Sequence, residues 1–415
     1  MAPPAGTEQG DRIAVCIHCG LCLDACPTFV ETGNEAESPR GRLLLLGGLE
    51  AGRFAPDQRL LAHVDRCLGC RACETACPSG VEYGRILETA RSAYAAGRPP
   101  RSRLERFLVR RVLWRGSWIA RGLPLYRRFR PWVLASALAA LPLPAGVRNL
   151  LRLVPEPEPP APRVPRPASP GNTPAVLVRG CVARAMFPRT EAAMIRLLER
   201  AGYRLSVLAE PECCGALASH LGEQALAEHL AGELREALAA TEGLVVFTAA
   251  GCGAHARHLG PDVGPRVVDL SVALADAPVP LEFAGEPAAV AFQEPCHLRH
   301  GQDAGDAPRR LLEAAGARVV EPDDGGLCCG SAGSYNLAER AMAARLGRRK
   351  VHALEATGAA LAVTANPGCA LQIRAHRGPK TPPVLTLARF LEERLTPEPR
   401  PPRRGPGKGL RSRPR

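Results

Sequence analysis

The sixteen cysteines of this 415-residue chain constrain its fold more than any other feature, because they fall into four sets of four. A run from Cys16 to Pro27 reads CIHCGLCLDACP, and CLGCRACETACP repeats its pattern from Cys67. Further on, Cys181, Cys213, Cys214 and Cys252 recur as Cys296, Cys328, Cys329 and Cys369, at offsets of 115, 115, 115 and 117 residues. Both copies carry a C-C-G tripeptide 32 positions after a lone cysteine. Recurrence this regular marks a duplicated module, read here as residues 175–285 and 286–396.

Each N-terminal run has the form C-x2-C-x2-C-x3-C-P, the bacterial ferredoxin pattern for a [4Fe–4S] cluster. Three cysteines two residues apart lie on a tight loop, where their sulfurs converge on three irons of one cube. The fourth cysteine of each run faces the other cluster. The expected ligand sets are therefore Cys16, Cys19, Cys22 and Cys77 for one cluster, and Cys67, Cys70, Cys73 and Cys26 for the other. Zinc fits less well, since its sites pair two C-x2-C units across longer loops. His18 and His63 read as surface residues, and Arg66 and Arg71 as either ordinary solvated charges or charges that tune a cluster.

The eight remaining cysteines belong to a different architecture. Short apolar runs, AVLVRG at Ala175, GLVVFTAAG at Gly243, AAVAFQEP at Ala288 and ALAVTANPG at Ala360, read as buried strands. They alternate with helical stretches such as TEAAMIRLLERAG, which predicts layered α/β modules. In each module the lone cysteine and the last cysteine end a strand, and strand ends in such sheets converge on a ligand crevice. All eight are thus candidate metal ligands, and an iron–sulfur cluster, a zinc ion and a reactive dithiol are all open there.

The fold class expected is a multi-domain α+β chain, with an N-terminal α-helical ferredoxin-type two-cluster domain followed by two α/β modules. The domain at 1–98 is joined to them by a helical connector at 99–153 and a proline-rich linker at 154–174. A basic tail follows at 397–415. The net charge of +13 is concentrated outside the domains: residues 101–166 carry +11 and residues 400–415 carry +7, leaving −5 elsewhere. No recognition motif or aromatic platform accompanies these basic segments, so nucleic acid is not an expected partner. They leave room for peripheral contact with anionic lipid on the inner face of the cytoplasmic membrane. The opening MAPPAGTEQGDR lacks the basic start and apolar run of an export signal, and no apolar stretch is long enough to span a bilayer. A cytoplasmic, thiol-reducing setting is the expectation, which argues against a disulfide framework.

The segments SPRGR at Ser38, DRCLGCRACETACPSGVEYG at Asp65, CCGSAGSYN at Cys328 and TANPGC at Thr364 carry a family resemblance. With the order of two ferredoxin runs and two CCG modules, the chain resembles the iron–sulfur subunits of bacterial glycolate oxidase along nearly its whole length. The wider family includes the anaerobic glycerol-3-phosphate dehydrogenase small subunit and subunits of heterodisulfide reductase. The resemblance implies an electron-transfer subunit: a flavin-containing dehydrogenase partner oxidises a 2-hydroxy acid such as glycolate, and this chain passes electrons toward a quinone or other acceptor. D-lactate and glycerol-3-phosphate dehydrogenases are alternatives, as is a CCG protein of the heterodisulfide reductase type. No G-x-G-x-x-G follows a strand, so no catalytic residue is expected on this chain. The best-known metal-binding CCG modules end in C-x-x-C, whereas these end in Cys252-Gly-Ala-His255 and Cys369-Ala-Leu-Gln372. His255 is therefore a candidate ligand and Gln372 a poor one.

Overall fold

The N-terminal segment is built from short helices, two of which start under side-chain caps from Ser38 and Asp57. In the computed structural model, residues 8–95, 114–115, 117–119, 121–122, 158–161, 171–208, 210–211, 213–333 and 335–397 are described. Helices α1 (Glu8–Ala14), α2 (Pro27–Thr32), α3 (Pro39–Glu50), α4 (Gln58–Asp65), α5 (Ala72–Thr75) and α6 (Tyr83–Ala93) make up the first domain. Asp57 accepts from the Leu60 amide at 2.8 Å, which satisfies a donor at the start of α4. Leu43, Leu46, Leu61, Val64, Ile86 and Leu87 fill a small core beneath the two cysteine loops. The expected connector and the tail beyond Pro397 lie essentially outside the described residues, as does most of the proline-rich stretch.

Module 1 contains β1 (Thr173–Val178), α7 (Cys181–Met186), α8 (Pro188–Arg200), β2 (Tyr203–Leu208), α9 (Ala216–Leu221), α10 (Gln224–Ala239), β3 (Leu244–Phe247), α11 (Ala250–Ala256), β4 (Val267–Val268) and α12 (Leu270–Ala275). Module 2 repeats the order with β5 (Ala288–Gln293), α13 (Cys296–Gln302), α14 (Asp306–Ala314), β6 (Ala317–Val320), α15 (Tyr335–Ala338), α16 (Arg340–Ala356), β7 (Leu361–Thr364), α17 (Pro367–His376), β8 (Val384–Thr386) and α18 (Leu387–Arg394). The sheets run β2-β1-β3-β4 and β6-β5-β7-β8, and every pairing is parallel. β1 starts at Thr173, two residues before the boundary expected from the apolar run. Central strands covered on both faces need apolar residues at consecutive positions, and Val176, Leu177, Val178 and Val290, Ala291, Phe292 supply them.

The modules pack reciprocally. The first long helix of each lies against the last helix of the other, α8 on α18 and α14 on α12. One apolar core runs through both, joining Leu177, Leu197 and Leu274 to Phe292, Leu312 and Phe390. That packing brings the carboxyl ends of β1, β3, β5 and β7 toward a common centre, where the first domain sits.

Candidate metal centres

The two ferredoxin-like loops share a backbone device. His18 (φ 57°) and Gly20 (φ 87°) flank Cys19, and Gly69 (φ 65°) and Arg71 (φ 62°) flank Cys70, all in the left-handed region. Two such reversals curl each C-x2-C-x2-C stretch around its own centre. Glycine enters this region freely, whereas for histidine and arginine it costs about 1 kcal/mol or more, so tertiary contacts must hold them there. The result is two adjoining cavities. Cys16, Cys19, Cys22 and Cys77 line one. Cys26, Cys67, Cys70 and Cys73 line the other, with Cys73 touching both. The four-residue sets expected from the spacing, with their crossed fourth members, are therefore brought together. These thiol-lined voids suit a cubane cluster each.

SPRGR acquires a physical meaning here. Ser38 Oγ accepts from the Gly41 amide at 2.9 Å and Pro39 occupies the first turn, so together they start α3. A Cβ on Gly41 would lie 1.9 Å from the Glu35 carbonyl oxygen, so only glycine fits. Arg40 reaches Glu35 and the His18 carbonyl, bracing the first loop. Arg42 is fully buried and lines the second cavity. It donates to Thr28 Oγ1, to the Glu37 carboxylate at 2.8 Å and to the His63 carbonyl. Burial pushes the Glu37 carboxyl up, but hydrogen bonds from Arg66 and His63 and the charge of Arg42 outweigh it and hold it below the usual range. Arg66 thus acts through Glu37, and His63 is tied into this network rather than free on the surface.

All eight module cysteines line a single cavity of about 150 Å³ between the two sheets. Cys181 and Cys296 open α7 and α13, Cys252 and Cys369 lie on α11 and α17, and the C-C-G pairs sit on loops between. Gly215 (φ 87°) and Gly330 (φ 85°) end those loops in the left-handed region, where a Cβ would meet the Ala227 carbonyl at 2.8 Å or Leu346 at 3.0 Å. Cys296 and Cys328 sulfurs are 3.8 Å apart. Neighbouring thiols hydrogen-bond one another through each set, so protons redistribute. Cys181 and then Cys214 draw the Cys213 thiol down to about 3, and Cys328 and His297 favour the Cys296 thiolate. Among the described residues, no three or more His, Cys, Asp or Glu side chains converge closely enough for a single ion. The sulfurs are spread around a void instead.

The candidate His255 lines a separate cleft of about 600 Å³ between α1, α6 and module 1. Burial, reinforced by His258, lowers its imidazole to about 4. The histidines that do line the thiol cavity are His220 and His297, with ring centroids 5.8 Å apart. His297 Nδ1 lies 3.6 Å from Cys296 Sγ, and adjacency in the chain was the signal that could have found it. Gln372 is buried and donates to the Ala343 carbonyl at 2.9 Å, which makes it part of the scaffold.

The first domain is fastened directly over this cavity. Leu68 and Cys70 share an apolar cluster with Cys328, Tyr335 and Leu346. The Tyr335 hydroxyl donates to the Arg66 carbonyl at 2.8 Å, Arg91 donates to the His220 carbonyl at 3.0 Å, and Arg71 meets His258 at 3.0 Å. Thr75 and His300 add a hydrogen bond of 2.8 Å.

A domain with two thiol-lined cavities, seated on a duplicated cysteine-lined α/β unit, defines an iron–sulfur electron-transfer subunit of an oxidoreductase. Residues 12–81 match the 4Fe-4S dicluster domain family, and residues 175–257 and 290–374 match the cysteine-rich domain family. The chain is 35 % identical to a probable glycolate oxidase iron–sulfur subunit of Bacillus subtilis, over 88 % of its own length and 89 % of the relative's. It is 32 % identical to the glycolate oxidase iron–sulfur subunit of Escherichia coli, over 87 % and 90 %. A component of the dihydromethanophenazine:CoB–CoM heterodisulfide reductase of Methanosarcina barkeri is 24 % identical over 86 % and 87 %. The chain belongs to the family of glycolate oxidase iron–sulfur subunits, and its N-terminal domain is of the kind that carries two [4Fe–4S] clusters.

Proposed function

We propose that this chain takes electrons from a flavin-bearing dehydrogenase subunit that oxidises a 2-hydroxy acid, glycolate to glyoxylate in the first instance, and carries them toward a quinone or another acceptor. Cys16, Cys19, Cys22 and Cys77 hold one [4Fe–4S] cluster, and Cys67, Cys70, Cys73 and Cys26 hold the other. The observation that carries this reading is the crossing of Cys77 and Cys26 into each other's cavity. Crossed ligation puts two one-electron centres side by side, which suits the step between a two-electron flavin and a separate acceptor. The polypeptide's own part is to fix the thiols, exclude water and supply buried charge.

The complex works at the cytoplasmic side, with the basic segments available for peripheral contact with anionic lipid. Among the described residues no helix is long and apolar enough to cross a membrane. The test is anaerobic mixing of the purified chain with the flavin subunits. Glycolate should reduce the clusters only when those subunits are present. Reduction by D-lactate or glycerol-3-phosphate, and not by glycolate, would replace the substrate assignment; no reduction by any of them would reject the role.

A further inference from the structure

Tyr83 opens α6, is 3 % exposed and lines both N-terminal cavities. Its hydroxyl is buried and has no hydrogen-bond partner in the polypeptide. Leaving a buried hydroxyl unpaired is unfavourable, and phenylalanine would supply the same ring without that cost. A tyrosine in this place therefore calls for an acceptor that is not part of the chain. Tyr83 shares the second cavity with Cys26, Cys67, Cys70 and Cys73, and Arg42 lines that cavity and not the first.

Arg42 lines the same cavity. Two of its nitrogens donate to Thr28 Oγ1 at 3.2 Å, and that oxygen is 3.2 Å from Cys26 Sγ. The first cavity has no buried arginine among the described residues: Arg40 keeps 30 % of its side chain exposed and is paired with Glu35, whereas Arg42 is buried and its partner Glu37 is shared with Arg66. A charge in that position is screened by water, whereas Arg42 is not.

We infer that Tyr83 donates a hydrogen bond to a sulfur of the cluster bounded by Cys26, Cys67, Cys70 and Cys73, and that Arg42 is the same cluster's buried counter-charge. Both favour the added negative charge of the reduced state, so they raise this cluster's reduction potential above that of its neighbour. The inference rests on the proposed ligand sets. It makes the inner cluster, next to Cys328, the one on which an electron comes to rest.

The test is an EPR-monitored redox titration of the full chain and of its Tyr83→Phe variant, with iron and sulfide measured on both. The variant keeps the ring and should fold. It should retain both clusters, and the midpoint of one should move to lower potential while the other stays. The shifted signal should be the one that Cys67→Ser perturbs, and its exchangeable-proton coupling should be lost. Both midpoints unmoved in a fully loaded variant would overturn the inference and leave the ligand sets standing. So would a shift in the signal that Cys16→Ser perturbs. A wild-type chain that binds no cluster would remove the ligand sets themselves, and the inference with them.

Discussion

Cys70 of the second ferredoxin-like loop packs against Cys328 of module 2 inside one buried apolar cluster. The contact is specific to one module: Cys296, also of module 2, is the thiol that acts most strongly on Cys70 after burial, and the two together hold it well above its ordinary range. Cys70 therefore meets the thiol cavity on its module 2 side, while Arg91 holds the His220 carbonyl on the module 1 side. Cys328→Ser should leave both N-terminal clusters reducible but slow their reoxidation by the physiological acceptor. Cys213→Ser should slow it less. Stopped-flow oxidation of the reduced chain distinguishes them, and equal effects would place the exit elsewhere.

Arg42→Met should destabilise the first domain by about 3 kcal/mol, because it strips a buried carboxylate of one of its cations. Glu37 keeps Arg66 and His63, so complete unfolding is not expected. Glu37→Gln combined with Arg42→Met should recover part of the loss. Anaerobic urea denaturation followed by cluster absorbance reads both.

The start of α3 gives an ordered pair of effects. Ser38→Ala removes a cap and should cost about 1 kcal/mol. Gly41→Ala forces a methyl onto the Glu35 carbonyl and should cost more, about 1–3 kcal/mol, with loss of the cluster nearest Arg42. Comparable iron content and melting temperature for the two variants would contradict the packing described.

His255 sets part of the acid limit. Its folded value near 4 lies below the ordinary 6.5, chiefly because burial disfavours the charged ring. A folded state that resists protonation is stable above about pH 6.5 and loses stability as pH falls from there toward 4. His255→Gln should flatten that part of a plot of melting temperature against pH, while leaving the neutral-pH value close to wild type.

Much of this was legible in the sequence, for reasons that differ by element. The cysteine spacings anticipated which thiols line each N-terminal cavity, because three of each four lie on one short loop. The apolar runs at Ala175, Gly243, Ala288 and Ala360 became β1, β3, β5 and β7, and TEAAMIRLLERAG became most of α8. β2 was not legible because it is an edge strand: Arg204, Ser206 and Val207 are not buried, so no apolar run marks it. β4 and β8 are two and three residues long. What spacing could not convey is how separated segments meet. The fusion of both module sites into one cavity depends on α8 packing on α18 and α14 on α12. His220 reaches that cavity by tertiary placement, while His255, chosen for its position after Cys252, faces another cleft.

The most direct test of the account is the iron and acid-labile sulfide content of the anaerobically purified chain, with EPR of its reduced form. At least about eight irons and eight sulfides per polypeptide are expected, with the coupled signal of two neighbouring [4Fe–4S] clusters. Near-zero iron with stoichiometric zinc would contradict it.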